Sequence, residues 1–241
     1  MKRAIVIGAS SGIGRQVAGL LIQRGWNVGV AARRVDALEE LKTIAPDRVK
    51  VGRIDVTQDD AKQRLYDLIN EVGGMQLFFY AAGVGWRNPN LTMEKEQITL
   101  DTNGKGFLNM IGAAYHYFAK NAGGHIAAIT SIAGTRGLGP APAYSATKAF
   151  QTTYLEALDQ LSRSNNLNIT ITDIRPGFVR TAFIGDGHHY PMTLSPRRTA
   201  KYIIRAIKHK RSVLVFDWRW HIVTILWRLL PSCLWRRMRI K

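Results

Sequence analysis

Cysteine is almost missing from this sequence, and acidic residues are scarce. The single cysteine, Cys233, among 241 residues excludes an intramolecular disulfide and leaves no thiolate cluster for a metal, so no metal is expected. Low-complexity runs, internal repeats and linkers are also lacking. With 46% hydrophobic residues, that pattern excludes a disordered chain and favours one large core. No signal-peptide pattern precedes the apolar run Ala4-Ile5-Val6-Ile7, and the expected setting is reducing and cytoplasmic. Asp and Glu total 17 against 34 Lys and Arg, for a net charge of +17. The excess is uneven. Residues 196–241 hold 13 Lys/Arg and one acid, Asp217, whereas residues 1–195 hold 21 and 16. The tail therefore calls for an anionic partner. Helix-turn-helix and zinc patterns are absent, so nucleic acid is not expected to be that partner.

What is present is a regular alternation of elements. Strands are expected at 4–7, 28–32, 48–54, 76–80, 125–130, 168–174 and 213–216. Helices are expected at 13–24, 35–44, 58–71, 97–119, 144–163 and 197–208. Such alternation implies right-handed crossovers and an α/β fold: a doubly wound, parallel, seven-stranded sheet with helices on both faces. Residues 1–217 make one domain, and 218–241 form a basic, Trp-rich, amphipathic extension to it.

Two stretches carry chemistry. Gly8-Ala9-Ser10-Ser11-Gly12-Ile13-Gly14 lies directly between a strand and a helix. There, glycines let the backbone approach a pyrophosphate and the helix N-terminus offers free N–H groups to it. At the end of the second strand, where an acid would hold a ribose 2′-OH, the chain has Arg33-Arg34. Two guanidiniums there fit a 2′-phosphate, so NADP(H) is expected ahead of NAD(H). The second stretch is Tyr144-Ser145-Ala146-Thr147-Lys148. On a helix, Tyr144 and Lys148 share a face at i and i+4. An ammonium about 5 Å from a phenol at an effective dielectric of about 20 favours the phenolate by roughly 3 kcal/mol, which would bring its pKa near working pH. Ser131 lies thirteen residues upstream of Tyr144, at the end of the fifth strand.

Together the glycine loop, Ser131, Tyr144 and Lys148 resemble the short-chain dehydrogenase/reductase family, over residues 4 to about 217. The resemblance implies a Rossmann-type fold and interconversion of a carbonyl and an alcohol, with Tyr144 as proton donor or acceptor. It implies that Ser131 hydrogen-bonds the substrate oxygen, that Lys148 binds the nicotinamide ribose, and that Asn103 holds a water in a proton relay. Asp55-Val56 is similar to the pair beside the adenine. Ala82 and Gly83 match the wall of the cofactor cleft, and Pro176, Gly177, Val179 and Thr181 match the stretch that meets the carboxamide. Homo-oligomers are common in that family, and one is expected here. The family usually has Asn-Asn-Ala-Gly after the fourth strand; this chain has Tyr80-Ala81-Ala82-Gly83. A contrasting class is a nucleotide-sensing binding protein, against which the complete Ser131, Tyr144 and Lys148 set argues.

The substrate lid is expected at 182–195. Phe183, Ile184 and Met192 favour an apolar substrate, while His188 and His189 read as exposed polar residues and not ligands. Trp86 lines the cleft or packs in the core. Four of six tryptophans fall in 218–241. A helix there places His221, Thr224 and Arg228 on one polar stripe and covers the rest with apolar side chains. The uncharged run Ile222–Trp227 is only six residues and Pro231 follows soon after, so a spanning helix is not expected. Three placements stay open: peripheral contact at the inner face of a membrane, a subunit interface, or a clamp on the chain's own body.

Overall fold

A computed structural model describes residues 2–181 and 190–239. The strands are β1 (Arg3–Ile7), β2 (Asn27–Ala32), β3 (Val49–Arg53), β4 (Leu77–Tyr80), β5 (Gly124–Ile129), β6 (Ile169–Ile174) and β7 (Val213–Leu214). They form one seven-stranded sheet in the order β3-β2-β1-β4-β5-β6-β7, parallel throughout. The expected sheet is therefore present, with its edge strand β7 shortened to two residues.

Alternation along each strand sends side chains to two separate cores. Ala4, Val6, Leu77 and Phe79 pack on one face, with Val17, Leu21 and Ile22 of α1 (Gly12–Gln23) and Ile203, Ile204 and Ile207 of α7 (Pro196–Lys208). Ile5, Ile7, Phe78 and Tyr80 pack on the other. Their partners are Leu65, Leu68 and Ile69 of α3 (Ala61–Val72), Phe107, Met110 and Ile111 of α5 (Phe107–Lys120), and Leu155 and Leu158 of α6 (Pro142–Ser164). A short α2 (Asp36–Lys42) covers β2 and β3. Strand order reverses between β1 and β4, and a crevice opens beyond the carboxyl ends of strands at such a switch point.

The long helix expected at 97–119 is not uniform. It begins earlier, as α4 (Met93–Leu100), and passes through π-helical turns at Asp101–Gly106 before continuing as α5. The turns are tightly packed: a Cβ on Gly106 would lie 2.8 Å from Val56 Cγ2 and 2.9 Å from its carbonyl oxygen, so only glycine fits there against the loop after β3. The same turns carry Asn103.

The tail forms two helices, α8 (Trp218–Leu229) and α9 (Ser232–Arg237), folded back onto the body. Of the three placements the sequence left open, the clamp accounts for one face of it. Trp220 is buried over Gly177, where a Cβ would come within 2.2 Å of its Nε1, and meets Phe178 edge-on at 5.4 Å. Trp235 is buried too, packs against Trp227 at 5.4 Å and donates from Nε1 to the Gly137 carbonyl at 2.8 Å. Arg136 makes the latch. Its guanidinium donates to the carbonyls of Trp227 (2.9 Å), Arg228 (3.2 Å) and Leu230, and to Ser232 Oγ (3.3 Å). The last carbonyls of a helix lack intrahelical donors and carry its negative dipole end, so one cation satisfies both needs. The expected polar stripe is corrected at Thr224. It is buried on the inner face with its hydroxyl bonded to the His221 carbonyl at 2.9 Å.

Replacing Arg136 by Ala should strip three tail carbonyls of their donor. We expect a loss of roughly 2–4 kcal/mol and rapid proteolysis after residue 217 with the body intact. Limited digestion followed by mass spectrometry checks this; a tail as resistant as in the parent chain would contradict the latch.

Candidate active site

Two loops meet at the switch point. β1 runs into the glycine loop, where Gly8 has φ +83° and a Cβ would fall 2.6 Å from Ala82 N. At Gly14 a Cβ would lie 2.2 Å from the Gly8 carbonyl oxygen. Neither position has room for a side chain, and together they seat the N-terminus of α1 against the end of β4. The first turn of α1 contains no acid, so its N–H groups and positive dipole end keep their affinity for an anion.

From this loop one continuous cleft of about 2020 Å³ extends across the sheet ends. Gly8, Ser11, Gly12, Ile13, Gly14, Ala82 and Gly83 line one end of it. Ser131, Tyr144 and Lys148 lie at its centre, with Pro176, Gly177, Val179 and Thr181 beside them. A smaller cavity of about 720 Å³ adjoins Ser10, Ser11, Arg33 and Arg34. Arg34 reaches Ser10 Oγ at 3.5 Å, which ties the end of β2 to the glycine loop. Arg53, which sequence reasoning missed, lines the same cavity. Its signal lies in strand pairing, because β2 and β3 align Ala32 with Arg53. Glu40, on the rim, is paired with Arg15 at 2.6 Å. Asp55 and Val56 are not among the residues lining either cavity. Asp55 Oδ1 instead accepts from Thr57 N (3.1 Å) and Oγ1 (2.8 Å), and Val56 packs under Gly106. Of the expected cofactor set, these two alone are turned to local structure.

Ser131 ends β5 in extended backbone and caps a 3₁₀ turn, its Oγ accepting from Ala133 N at 3.0 Å. Tyr144 and Ser131 hydrogen-bond through their side chains. Pro142 opens α6 in its first turn, so Tyr144 and Lys148 do lie one helical turn apart. Lys148 Nζ stands 5.7 Å from the centroid of the Tyr144 ring. It donates to the Ile129 carbonyl at 3.2 Å and to Gln151 Oε1 at 2.9 Å. Gln151 Nε2 in turn donates to the Asn103 carbonyl at 2.8 Å. Gln151 is wholly buried and was missed by sequence reasoning, although it sits at i+3 from Lys148 on the same helix face. It joins the lysine to Asn103 directly, where the family resemblance implies a water. The Asn103 side chain is also engaged, donating to the Val84 carbonyl (2.7 Å) and accepting from Val84 N (2.9 Å). Asn103 thus ties the cleft loop to α6 through its side chain and its carbonyl.

Burial governs the titration of both central groups. It pushes the Tyr144 phenol above its ordinary value, with the bond to Ser131 pulling the other way. The Lys148 ammonium is lowered from 10.5 to about 7 by desolvation, against which the Asp173 carboxylate works. The expectation that Lys148 draws the phenol towards neutrality is therefore corrected: burial raises it, and the opposing influence comes from Ser131.

Tyr80, standing where the family has asparagine, is fully buried and meets Phe107 edge-on at 5.3 Å. Its hydroxyl has no hydrogen-bond partner among the described residues, and burial raises its pKa. Apolar packing replaces the usual amide contacts in that wall. Trp86 lines the cleft and not the core, and Tyr190 faces it while packing on Phe178 at 4.6 Å. Trp220, Trp227 and Trp235 of the tail complete the far wall. The remainder of the expected lid, 182–189, with Phe183, Ile184, His188 and His189, lies outside the described residues. Among the described residues no group of three or more His, Cys, Asp or Glu could hold a metal.

The lysine shift makes a testable statement. The unfolded chain keeps this proton up to near 10.5, whereas the folded chain releases it near 7. Between those values the unfolded state binds more protons, so stability rises with pH. Relative to Lys148→Met, the parent chain should gain up to about 1.4 kcal/mol per pH unit above pH 7. Denaturant midpoints of both proteins at pH 6 and pH 9 measure it; a constant difference would exclude the shifted lysine.

The model of the short chain dehydrogenase family matches residues 2–188. An uncharacterized oxidoreductase of Myxococcus xanthus is 32% identical over 249 aligned residues, covering 99% of this chain and 98% of the relative. A glycine betaine reductase of Emericella nidulans is 34% identical over 190 residues, which are 76% of this chain but 15% of that protein. A closed form of serine dehydrogenase solved with NADP+ superposes with a TM-score of 0.78 at 24% identity, covering 89% of this chain and 94% of its own; it has the same fold. With a family model spanning most of its length and a relative matched nearly end to end, the chain belongs to the short-chain dehydrogenases.

Proposed function

We propose that this oxidoreductase interconverts a carbonyl and an alcohol with NADP(H), and that its substrate is lipophilic. One observation carries the reading: Ser131, Tyr144 and Lys148 line the same cleft as the glycine loop. A bound nicotinamide dinucleotide supplies or accepts the hydride. Gly8 to Gly14 and the α1 N-terminus would hold its pyrophosphate, and Arg33, Arg34 and Arg53 the 2′-phosphate. The fit is chemical. Arg33, Arg34 and Arg53 line a cavity with two acids, Glu40, which is paired with Arg15, and Asp36, so cations outnumber unpaired acids there by three to one. The NADP+ found in the serine dehydrogenase neighbour agrees with this preference.

Proton handling then falls to the chain. In the reducing direction Ser131 and Tyr144 donate hydrogen bonds to the carbonyl oxygen, where negative charge grows as hydride reaches the carbon. Tyr144 passes its proton to that oxygen. Lys148, fixed by Ile129 and Gln151, supports the phenolate left behind, and its own proton is labile near neutral pH. The lipophilic character rests on the aromatic part of the lining, Trp86, Phe178, Tyr190, Trp220, Trp227 and Trp235, although Arg87, Lys95, Arg136, Arg236 and Arg239 border the same cleft. Contact with a membrane concerns the other face of the tail.

A panel of carbonyl compounds followed by NADPH absorbance, with NADH beside it, should show turnover of apolar ketones or aldehydes with NADPH. Tyr144→Phe should bind NADPH normally and lose about 10²–10⁴-fold in rate; near-normal turnover would overturn the assignment. Arg33→Ala with Arg34→Ala should weaken NADPH by roughly ten- to a hundredfold and leave NADH almost unchanged. Equal losses for both cofactors would remove the 2′-phosphate assignment.

A further inference from the structure

Helix α8 has two apolar faces, and the body uses one of them. Trp220, Thr224 and the half-buried Val223 and Trp227 face inward. Trp218, Ile222, Ile225 and Leu229, at i, i+4, i+7 and i+11, form a second stripe pointing away. Its members are 73%, 47%, 46% and 74% exposed, with Leu226 beside them at 55% and Leu234 of α9 at 51%. A contiguous exposed apolar stripe of this kind marks an interaction surface. The segment from 218 onward holds five arginines and no acid. Arg219 is paired with Asp217, and Arg236 and Arg239 border the cleft, which leaves Arg228 and Arg237 exposed and without an ion-pair partner among the described residues.

We propose that this outer face of the α8–α9 tail docks on an anionic lipid surface, lying in the interface with its tryptophan and leucines below the headgroups. Charge decides between occupants. A second copy placed face to face would set one cationic tail against another, which opposes association. A bilayer bearing anionic headgroups attracts those arginines while its hydrocarbon accepts the stripe. No helix among the described residues is long and apolar enough to cross a membrane, so contact is peripheral. The inner face of the same helices is the wall of the catalytic cleft, through Trp220, Trp227 and Trp235. Docking therefore brings the cleft wall to the lipid interface, where an apolar substrate is concentrated. This consequence rests on the lipophilic-substrate reading; the docking itself does not.

The test uses the full chain and two vesicle types, phosphatidylcholine alone and phosphatidylcholine with phosphatidylserine, in flotation gradients. The parent chain should float with the phosphatidylserine vesicles and lose most of that binding at high salt. Trp218→Ser with Leu229→Ser should reduce the bound fraction at least about tenfold, and Arg228→Glu with Arg237→Glu should do the same through charge. Circular dichroism and NADPH binding confirm that each variant is folded, and neither readout depends on turnover. Absence of flotation by the parent chain, or unchanged flotation by both folded variants, overturns the proposal. A parent chain that is larger by light scattering than the Trp218/Leu229 variant in the absence of lipid would also overturn it, because a second copy would then cover the stripe.

Discussion

An ammonium removed from water sets the terms for the centre of this protein. Lys148 is 4% exposed, and a cation so placed is tolerated only where fixed dipoles replace its hydration. The replacements come from three directions: the Ile129 carbonyl at the end of β5, the Gln151 amide one turn along α6, and the distant Asp173 carboxylate. Each partner needs its own support. Gln151 is oriented by the Asn103 carbonyl, which the π-helical turns present, and the same turns pack Gly106 against Val56. Gly83 belongs to the same arrangement, since a Cβ there would lie 3.2 Å from Asn103 Oδ1 and 3.8 Å from Lys148 Nζ. The lysine, the helix defect and the loop glycine are parts of one solvation problem.

The resulting site is withdrawn from water at Lys148 and half-buried at Tyr144, and that changes how its chemistry works. In water a neighbouring ammonium would lower a phenol's pKa; here desolvation acts on both groups, raising one and lowering the other. The hydrogen bond from Ser131 matters more in consequence, because it favours the phenolate without bringing a charge of its own.

Most of the sheet was legible from residue order, because parallel strands buried on both faces read as apolar runs and their helices as amphipathic periods. The glycine loop and the Tyr144–Lys148 spacing were legible for a related reason: both are local, fixed by a few neighbouring residues on one turn or one helix. What stayed hidden depends on contacts distant in sequence. Arg53 reaches the arginine cavity only because β3 lies beside β2 in register. Gln151 acquires its role from Asn103, 48 residues away. Nor does a motif match reveal that Asp55 Oδ1 is held by Thr57 two residues on.

The tail illustrates the same limit most sharply. Its composition announced apolar area that must be covered, yet helical periodicity alone could not say which face would turn inward, because both faces are apolar. Arg136 breaks that symmetry. Held five residues beyond Ser131 on the 3₁₀ turn's far side, its guanidinium fixes the end of α8 by three carbonyls. Trp235 then finds the Gly137 carbonyl next to it, and Trp220 finds the only kind of residue that would admit it, the side-chain-free Gly177. The rotation of the helix follows from those three anchors, and with it the identity of the stripe left facing outward. A segment that reads as surplus to the sheet-and-helix body thus becomes a wall of the cleft through a latch built five residues beyond Ser131.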